Sequence, residues 1–491
     1  MKNDNEQEDA EEVPMKLSEN RTFNSNRNSS HNKSTKILPK NASVFIFISF
    51  AIFVMIFLAA NNSSLMELNE HLNGLQSKVQ FMDKNIAKKK IGVALVRQYL
   101  YGSYGRFMSV LTKFLVETDK YDVYLINEQK TDFDIMYHKK VKREILQWSL
   151  EELKNFDEAN DIQIYILLND LSETIDLYKS LGRKVIGIFN GEYFSCIYSN
   201  ETQLYSLFKG FSKFDSFVQF IPDDYWIYKK LGFNNTLYIP SLNSFESEKT
   251  PTSKLINKNI LMIGKFNQEI KGGIYGIYAM AEILKEVPDA KLTIIGLTFP
   301  QNLNDLLKQL KIEKNIEFVG FAPNISNFYL NASVLLVPSI SDSFATIINE
   351  GKAHGVPIVA FDIDYIPSLH NGVITVDLYN HSLMAKEVVK LLKDYGYRIE
   401  MGKKAKLSLN SNKDSFKIWR KLFKSLLNNT DEYKKLQEEV EKKYYNETIA
   451  KNRLKKHYNY AVKYNSACKC HSFDDITSLD YINNIKVCPS K

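Results

Sequence analysis

The sequence predicts an α/β protein with two Rossmann-like, doubly wound domains, because short apolar runs alternate with helical patterns in two successive regions. In the first region, residues 91–96 form a buried-strand run, a glycine-containing turn opens an amphipathic helix, and residues 120–126 form the next strand. In the second region, residues 334–337 and 358–361 are apolar runs on either side of a helical pattern. Parallel strands joined in this way place ligand sites at their carboxyl ends.

Composition divides the 491 residues into successive segments. We expect a disordered polar tail, a transmembrane helix, a short helical stem, an N-terminal Rossmann-like domain, a linker, a C-terminal Rossmann-like domain and a charged, cysteine-containing tail. In that order, the segments cover residues 1–42, 43–60, 61–90, 91–240, 241–258, 259–430 and 431–491. The net charge of +7 is spread too evenly along the chain to indicate a nucleic-acid partner.

An uncharged apolar run covers residues 43–60. At about 1.5 Å per residue it spans about 27 Å as a helix, which suits a thin bilayer of the early secretory pathway. A cleaved signal peptide is the alternative, but the roughly forty preceding residues are too many for an ordinary signal of ~15–30 residues. Basic residues before the run and acidic residues after it favour a single-pass type II anchor. The body would then lie in the lumen of the endoplasmic reticulum or Golgi.

Two further features agree with a lumenal body. Sequons of the form N-x-S/T, the acceptors of N-glycosylation, recur after the apolar run, although an Asn-rich sequence also makes them by chance. Near the C-terminus, Cys488 is expected to form a disulfide with Cys468 or Cys470. A metal site at the CKCH string is the alternative, and it lacks a second pair of ligands.

Apolar residues between positions 65 and 86 alternate spacings of three and four. This pattern predicts either a coiled coil, which would make the protein a homodimer, or a single helical stem that lies on the body. Gly74 and several Asn residues weaken the coiled-coil interpretation, so both alternatives stay open.

The most informative segment is residues 332–372, whose pattern predicts a strand, a loop, a helix and a second strand. Ser341, Asp342 and Ser343 are good N-cap residues for the helix, and Glu350 follows Asp342 after seven intervening residues. Eight residues of helix rise about 12 Å, a span that a nucleotide-sugar fits. A diphosphate between the two acids would lie on the N–H groups of the helix N-terminus. An ordinary capped helix with a solvated Glu is the alternative.

The string PSISDSFATIINEGKAHGVPIVAFD in this segment resembles the donor-binding signature of retaining glycosyltransferases of family 4, which have the GT-B fold. That signature is a Glu, seven residues and a second Glu. Here the first acid is Asp342, and Ser343 replaces the usual Gly after it. The resemblance implies that Asp342 orients the donor sugar and that Glu350 holds the ribose. It also implies that the diphosphate lies on four backbone N–H groups, those of Ser343, Phe344, Ala345 and Thr346.

The resemblance extends to further site residues. Lys265 and Lys271, in the turn GKFNQEIKGG, match the Arg and Lys that hold the diphosphate, with a point charge in place of the Arg fork. Solvated surface lysines are the alternative in so basic a chain. Gly102 and Gly105 match a glycine-rich loop that faces the diphosphate, and Gly320 lies in the loop where the nucleotide base would be.

One departure concerns a His that the family usually places after an inner strand of its N-terminal domain. Here that strand ends at Asn190, which can hydrogen-bond a sugar hydroxyl but cannot act as a base at neutral pH. A retaining front-face reaction needs little protein base, because the departing phosphate can take the acceptor proton. Asp362 and Asp364 resemble the metal pair of GT-A glycosyltransferases, but they follow a Rossmann strand, so we expect a loop and no metal site.

Over about residues 91–430 the resemblance therefore implies a retaining glycosyltransferase of GT-B fold. Its co-substrate would be a UDP- or GDP-sugar, its acceptor a glycan, a glycoprotein or a lipid, and it would hold no bound cofactor. The departures motivate an alternative, a non-catalytic relative that binds carbohydrate or nucleotide-sugar or acts as a scaffold. The resemblance also implies that residues 413–427 form a helix that crosses back onto the N-terminal domain. Residues 431–464 mix both charges at helical spacing, which predicts a solvated helix or a surface for an acidic glycan or membrane headgroups.

Overall fold

The structure is a computed structural model, in which residues 89–491 form one compact unit. It describes residues 90–97, 103–127, 137–147, 149–168, 173–189, 208–267, 269–296, 299–322, 324–342, 345–363, 366–428, 430–464 and 472–476. The apolar run at 43–60, the stem pattern and the cysteines of the predicted disulfide lie outside these residues. None of the helices in the described part is both long enough and apolar enough to cross a bilayer.

The N-terminal lobe is built on a parallel sheet of seven strands. These are β1 (Ile91–Arg97), β2 (Tyr121–Asn127), β3 (Lys142–Ile145), β4 (Ile162–Leu168), β5 (Lys184–Ile188), β6 (Ser216–Gln219) and β7 (Thr236–Tyr238). Their order across the sheet is β3-β2-β1-β4-β5-β6-β7. The described helices between them are α1 (Ser103–Glu117), α2 (Leu150–Asn160), α3 (Glu173–Ser180) and α4 (Pro222–Lys230). Because the central strands are buried on both faces, their sequences are continuously apolar.

The C-terminal lobe repeats this plan with six parallel strands. These are β8 (Asn259–Ile263), β9 (Lys291–Ile295), β10 (Ile316–Gly320), β11 (Val334–Val337), β12 (Ile358–Phe361) and β13 (Ile374–Val376). Their order is β10-β9-β8-β11-β12-β13. The helices are α5 (Gly273–Glu286), α6 (Gln301–Leu310), α7 (Ser326–Asn331), α8 (Thr346–Ala353), α9 (His381–Lys393) and α10 (Tyr395–Leu407). The prediction of two doubly wound, Rossmann-like domains is confirmed.

The C-terminal helices return to the first lobe. They are α11 (Lys413–Asn428), α12 (Thr430–Tyr444), α13 (Glu447–Tyr464) and α14 (Phe473–Ile476). Trp419 and Phe423 of α11 are fully buried in the core cluster of β1 and β2, so the predicted return of this helix is confirmed. The prediction of a solvated helix over 431–464 was wrong in part. Leu436 of α12 and Leu454 of α13 bury one side of each helix in the first lobe.

The two connections between the lobes lie side by side. The Asn243 N–H donates to Asn412 Oδ1 at 2.7 Å, and the Asn412 amide donates back to the Asn243 carbonyl at 2.9 Å. The side-chain amide of Asn349, on α8, donates to Asn243 Oδ1 at 2.8 Å. The chain that enters the second lobe is thereby attached both to the chain that leaves it and to α8. The domain boundaries given above stay predictions.

Candidate active site

Lys271 and Asp342 meet at the carboxyl edge of the second sheet. Lys271 ends a 3-10 turn (Glu269–Lys271) beyond β8, and Asp342 lies in the loop beyond β11. The Lys271 Nζ is 2.9 Å from Asp342 Oδ2, and the two side chains are 22% and 12% exposed. The two residues predicted to act on the diphosphate and on the donor sugar are therefore ion-paired with each other.

Helix α8 begins later than the sequence predicted. Its first residue is Thr346, and its N-cap is Ala345 in a left-handed conformation with φ of 42° and no side-chain cap. The N-cap prediction at Asp342 and its serine neighbours was wrong, because the N-cap is Ala345. Asp342 Oδ1 instead accepts the Ala345 N–H at 3.4 Å. Ser343 and Phe344 lie outside the described residues, so their role stays a prediction.

Glu350 lies in a buried contact between the lobes. Its Oε1 is 2.7 Å from Nε of Arg106, on α1 of the first lobe, and its Oε2 accepts the Tyr329 hydroxyl at 2.9 Å. The Glu350 side chain is 1% exposed. Burial raises the pKa of Glu350, while the Arg106 charge and the nearby Tyr329 and Ser244 hydroxyls lower it. The predicted ribose ligand therefore depends on a cation from the other lobe, which the sequence did not reveal.

A histidine supports the Tyr329 partner of Glu350. The His354 ring stacks on Tyr329 with centroids 4.9 Å apart. Its Nδ1 is 2.7 Å from the Glu350 carbonyl oxygen, and its Nε2 is 2.8 Å from Ser326 Oγ. Burial lowers the pKa of His354, so the imidazole is neutral near pH 7. A neutral ring with both nitrogens engaged fixes the Tyr329 hydroxyl and leaves Arg106 as the cation at Glu350.

The structure locates three of the remaining predicted residues. Lys265 is half-buried in the turn after β8. Gly320 ends β10 with φ of 76°, and no heavy atom lies within 4 Å of the place where its Cβ would be. Gly105 is buried in the first turn of α1. Gly102 and Asn190 lie outside the described residues. The functions assigned to all of these residues stay predictions.

The predicted loop after β12 contacts the C-terminal tail. The Asp362 carboxylate lies 2.6 Å from Nζ of Lys456 on α13. Asp364 lies outside the described residues. Among the described residues, no group of three or more His, Cys, Asp and Glu side chains could hold a metal ion. Asp362 is therefore engaged in an ion pair with a helix that belongs to the first lobe.

Comparison with known proteins finds relatives of the C-terminal lobe, whose sheet carries Lys271 and Asp342 at its carboxyl edge. Residues 244–408 match the family model described as "Glycosyl transferases group 1". This match covers most of the C-terminal lobe. The chain is 32% identical over 135 residues to an uncharacterized glycosyltransferase of Haemophilus influenzae, covering 27% of this chain and 38% of that protein. It is 26% identical over 188 residues to the D-inositol 3-phosphate glycosyltransferase of Corynebacterium aurimucosum, covering 35% and 44%.

These matches span less than half the length of the curated relatives. The fold is matched more widely. The crystal structure of Anabaena HepE in complex with UDP-glucose superimposes with a TM-score of 0.58 at 14% identity, covering 68% of this chain and 99% of that one. The likeness confirms the predicted GT-B fold, with two Rossmann-like domains. The named relatives support the prediction of an enzyme that transfers sugar.

The predicted localisation was wrong. The relatives are proteins of bacteria such as Corynebacterium and Bacillus subtilis, which have neither an endoplasmic reticulum nor a Golgi. The compartment was inferred from one apolar run and from sequons, and an Asn-rich chain forms sequons by chance. The type II anchor, the lumenal glycoprotein and the homodimer find no support. The apolar run and the stem pattern, on which the anchor and the homodimer depended, lie outside the described residues.

Proposed function

We propose that the protein is a retaining glycosyltransferase that transfers a sugar from a nucleotide-sugar to an acceptor hydroxyl. The observation that carries this proposal is the Lys271–Asp342 pair at 2.9 Å, at the carboxyl edge of the sheet and beside the start of α8. This pair supports the proposal, because a cation suited to a diphosphate lies next to a carboxylate suited to sugar hydroxyls. The match of residues 244–408 to the group 1 family supports the same assignment.

The donor is a UDP- or GDP-sugar, and the acceptor is a glycan, a protein or a lipid. The HepE structure is a complex with UDP-glucose, and its likeness to this chain supports a nucleotide-sugar here. In this site the diphosphate lies against Lys271 and Lys265 and on the N-terminal N–H groups of α8. Asp342, released from Lys271, binds the sugar hydroxyls, and Glu350 binds the ribose.

The reaction breaks the bond between the sugar C1 and the phosphate oxygen, and the electron pair leaves with that oxygen. The acceptor oxygen forms its bond to C1 on the same face, so the anomeric configuration is retained. The acceptor proton passes to the departing phosphate oxygen. Lys271 contributes most in the transition state, because charge on that oxygen grows as the bond breaks.

A binding protein without catalysis is the second candidate. The observation that favours it is the ion pair itself, because Lys271 and Asp342 neutralise each other's charge. Two departures from the family pattern agree with this candidate. Asp342 stands where the family has Glu, and Lys265 stands where the family has Arg. Such a protein would bind a nucleotide-sugar without turning it over.

Thermal unfolding of the full chain with a panel of UDP- and GDP-sugars tests the proposal. A ligand at about 100 times its dissociation constant adds about 2.7 kcal/mol to stability, which a melting curve detects readily. We expect one donor class to stabilise the protein and to be slowly hydrolysed. Stabilisation with no turnover, with or without acceptor, would establish the binding protein instead. No stabilisation by any member of the panel would contradict both.

A further inference from the structure

Four buried polar atoms converge on one side of α8. They are Arg106 Nε, Ser244 Oγ, Thr346 Oγ1 and Glu350 Oε1. Arg106 and the Ser244 hydroxyl both lie beside the Glu350 carboxylate and lower its pKa, yet none of the four atoms has a hydrogen bond of good geometry within the described part of the chain. Thr346 and Glu350 are four residues apart on one helix and so share a face. Ser244 follows Asn243, which is bonded to α8 through Asn349. Arg106 approaches from the first lobe.

Arg106 and Glu350 form an ion pair that lacks a well-directed hydrogen bond. Their atoms lie 2.7 Å apart, yet neither the Nε–H nor the Oε1 lone pair is aligned with the other. Buried polar groups in native proteins nearly always have hydrogen-bond partners, so several exceptions in one place need an explanation. The chemistry of the set is mixed, with one donor, one carboxylate acceptor and two hydroxyls that can do either.

A vicinal diol fits this set. One hydroxyl can donate to Glu350 Oε1 while it accepts the Arg106 Nε–H, and the second hydroxyl can pair with Thr346 or Ser244. The other charged or titratable neighbours of Glu350 are the Tyr329 phenol and His354, and both are already engaged with other groups. The diol of a donor ribose is the ligand of this chemistry that the proposed function supplies.

We propose that Arg106 is a positioning residue for the donor ribose, which anchors the Glu350 carboxylate from the opposite lobe and shares a ribose hydroxyl with it. Ser244 and Thr346 complete the subsite. This inference rests on the proposed function. It predicts that recognition of the ribose hydroxyls, and not only of the diphosphate, depends on a residue of the N-terminal lobe.

Calorimetric titration of the full chain with UDP and GDP, and with their 2′-deoxy counterparts, tests the proposal. The wild type should bind one ribonucleotide roughly tenfold or more tightly than its deoxy form, as expected for a hydroxyl bonded to a charged group. Arg106→Gln should reduce this ratio towards one. Arg106→Lys should keep part of it, and this variant still gives an answer if the Gln variant fails to fold. Lys113→Gln, on an exposed turn of the same helix, is the matched control and should leave the ratio unchanged.

A second readout separates positioning from a general loss of structure. Without Arg106 the buried Glu350 carboxylate is more readily protonated, so the ratio should rise more steeply between pH 6 and 8 in Arg106→Gln than in the wild type. In a Glu350→Gln background, Arg106→Gln should change the ratio less than it does in the wild type, because the carboxylate that Arg106 anchors is then absent.

The outcomes distinguish the inference from the function. A wild-type ratio that Arg106→Gln leaves intact in a folded protein would overturn the inference, while loss of binding in Lys271→Ala would show that the donor site itself stands. Failure of the wild type to bind either nucleotide would overturn both.

Discussion

Replacing Lys271 by Ala removes the central cation of the proposed donor site. The Lys271 Nζ lies 2.9 Å from Asp342 Oδ2, and both side chains are largely buried. The substitution therefore does two things, because it takes a positive charge from the diphosphate and removes the same charge from beside the Asp342 carboxylate. Without Lys271, the negative charge of Asp342 is no longer neutralised and repels the diphosphate. This repulsion adds to the loss of the attraction between Lys271 and the diphosphate.

The lost charge-assisted interaction is worth about 1.5–3 kcal/mol. That corresponds to a reduction of roughly 10- to 150-fold in kcat/KM. The added repulsion from Asp342 moves the expectation for Lys271→Ala towards the upper end of this range. Asp342→Asn should then lower kcat/KM less in the Lys271→Ala variant than in the wild type, because in that variant it also removes the repulsion of the diphosphate. It still removes a ligand of the sugar in both.

The assay is donor turnover, followed as release of the nucleoside diphosphate at several donor concentrations. We expect kcat to fall as well as kcat/KM, since charge on the leaving oxygen grows towards the transition state. Lys258→Ala is the matched control, because Lys258 forms a 2.8 Å pair with Asp289 at the amino edge of the same sheet. It should leave turnover unchanged. Equal kinetics for the folded Lys271→Ala variant and the wild type would refute the assignment of the diphosphate site.

Three further outcomes are expected. Burial lowers the pKa of Lys352 to about 8, and its amine donates to the carbonyls of His370 and Asn371. Between about pH 8 and 10.5 the unfolded chain therefore binds more protons than the folded chain, so the free energy of unfolding should rise with pH across that window. Urea titrations should show a smaller rise in Lys352→Met than in the wild type. Gly272 has φ of 64°, and a Cβ there would overlap the Pro338 carbonyl oxygen. Gly272→Ala should therefore lower the melting temperature and weaken nucleotide binding, both measured against the wild type. Transfer should persist in a chelator, and loss of activity that manganese restores would contradict the metal-free mechanism.

The buried strands were predictable because their sequences are continuously apolar. Strands β1, β11 and β12 lie within a residue of the predicted runs, since a strand covered on both faces admits few polar residues. The edge strand β3 was missed. The sequence KREI of β3 is mostly exposed and charged, as a sheet edge should be, and it carries no apolar run to detect.

Individual site residues were predictable only where a local sequence pattern contains them. Lys271 and Asp342 were each assigned by resemblance, and the fold brings them together from positions far apart in the sequence. The contact of Arg106 with Glu350 joins two lobes, so no spacing in the sequence could indicate it. The sequence offered only a weak indication that Arg106 belongs to the site. Arg106 lies in the first turn of the helix after a glycine-containing turn, at the carboxyl edge of β1, where ligands of doubly wound sheets bind.

The most direct test of the central claim is the anomeric configuration of the first product. Proton NMR can follow the full chain with the UDP- or GDP-sugar that stabilises it, and the first-formed sugar can be assigned before mutarotation equilibrates it. We expect the released or transferred sugar to have the same anomeric configuration as the donor. An inverted first product, or no turnover of any nucleotide-sugar by the folded protein, would contradict the assignment of a retaining glycosyltransferase.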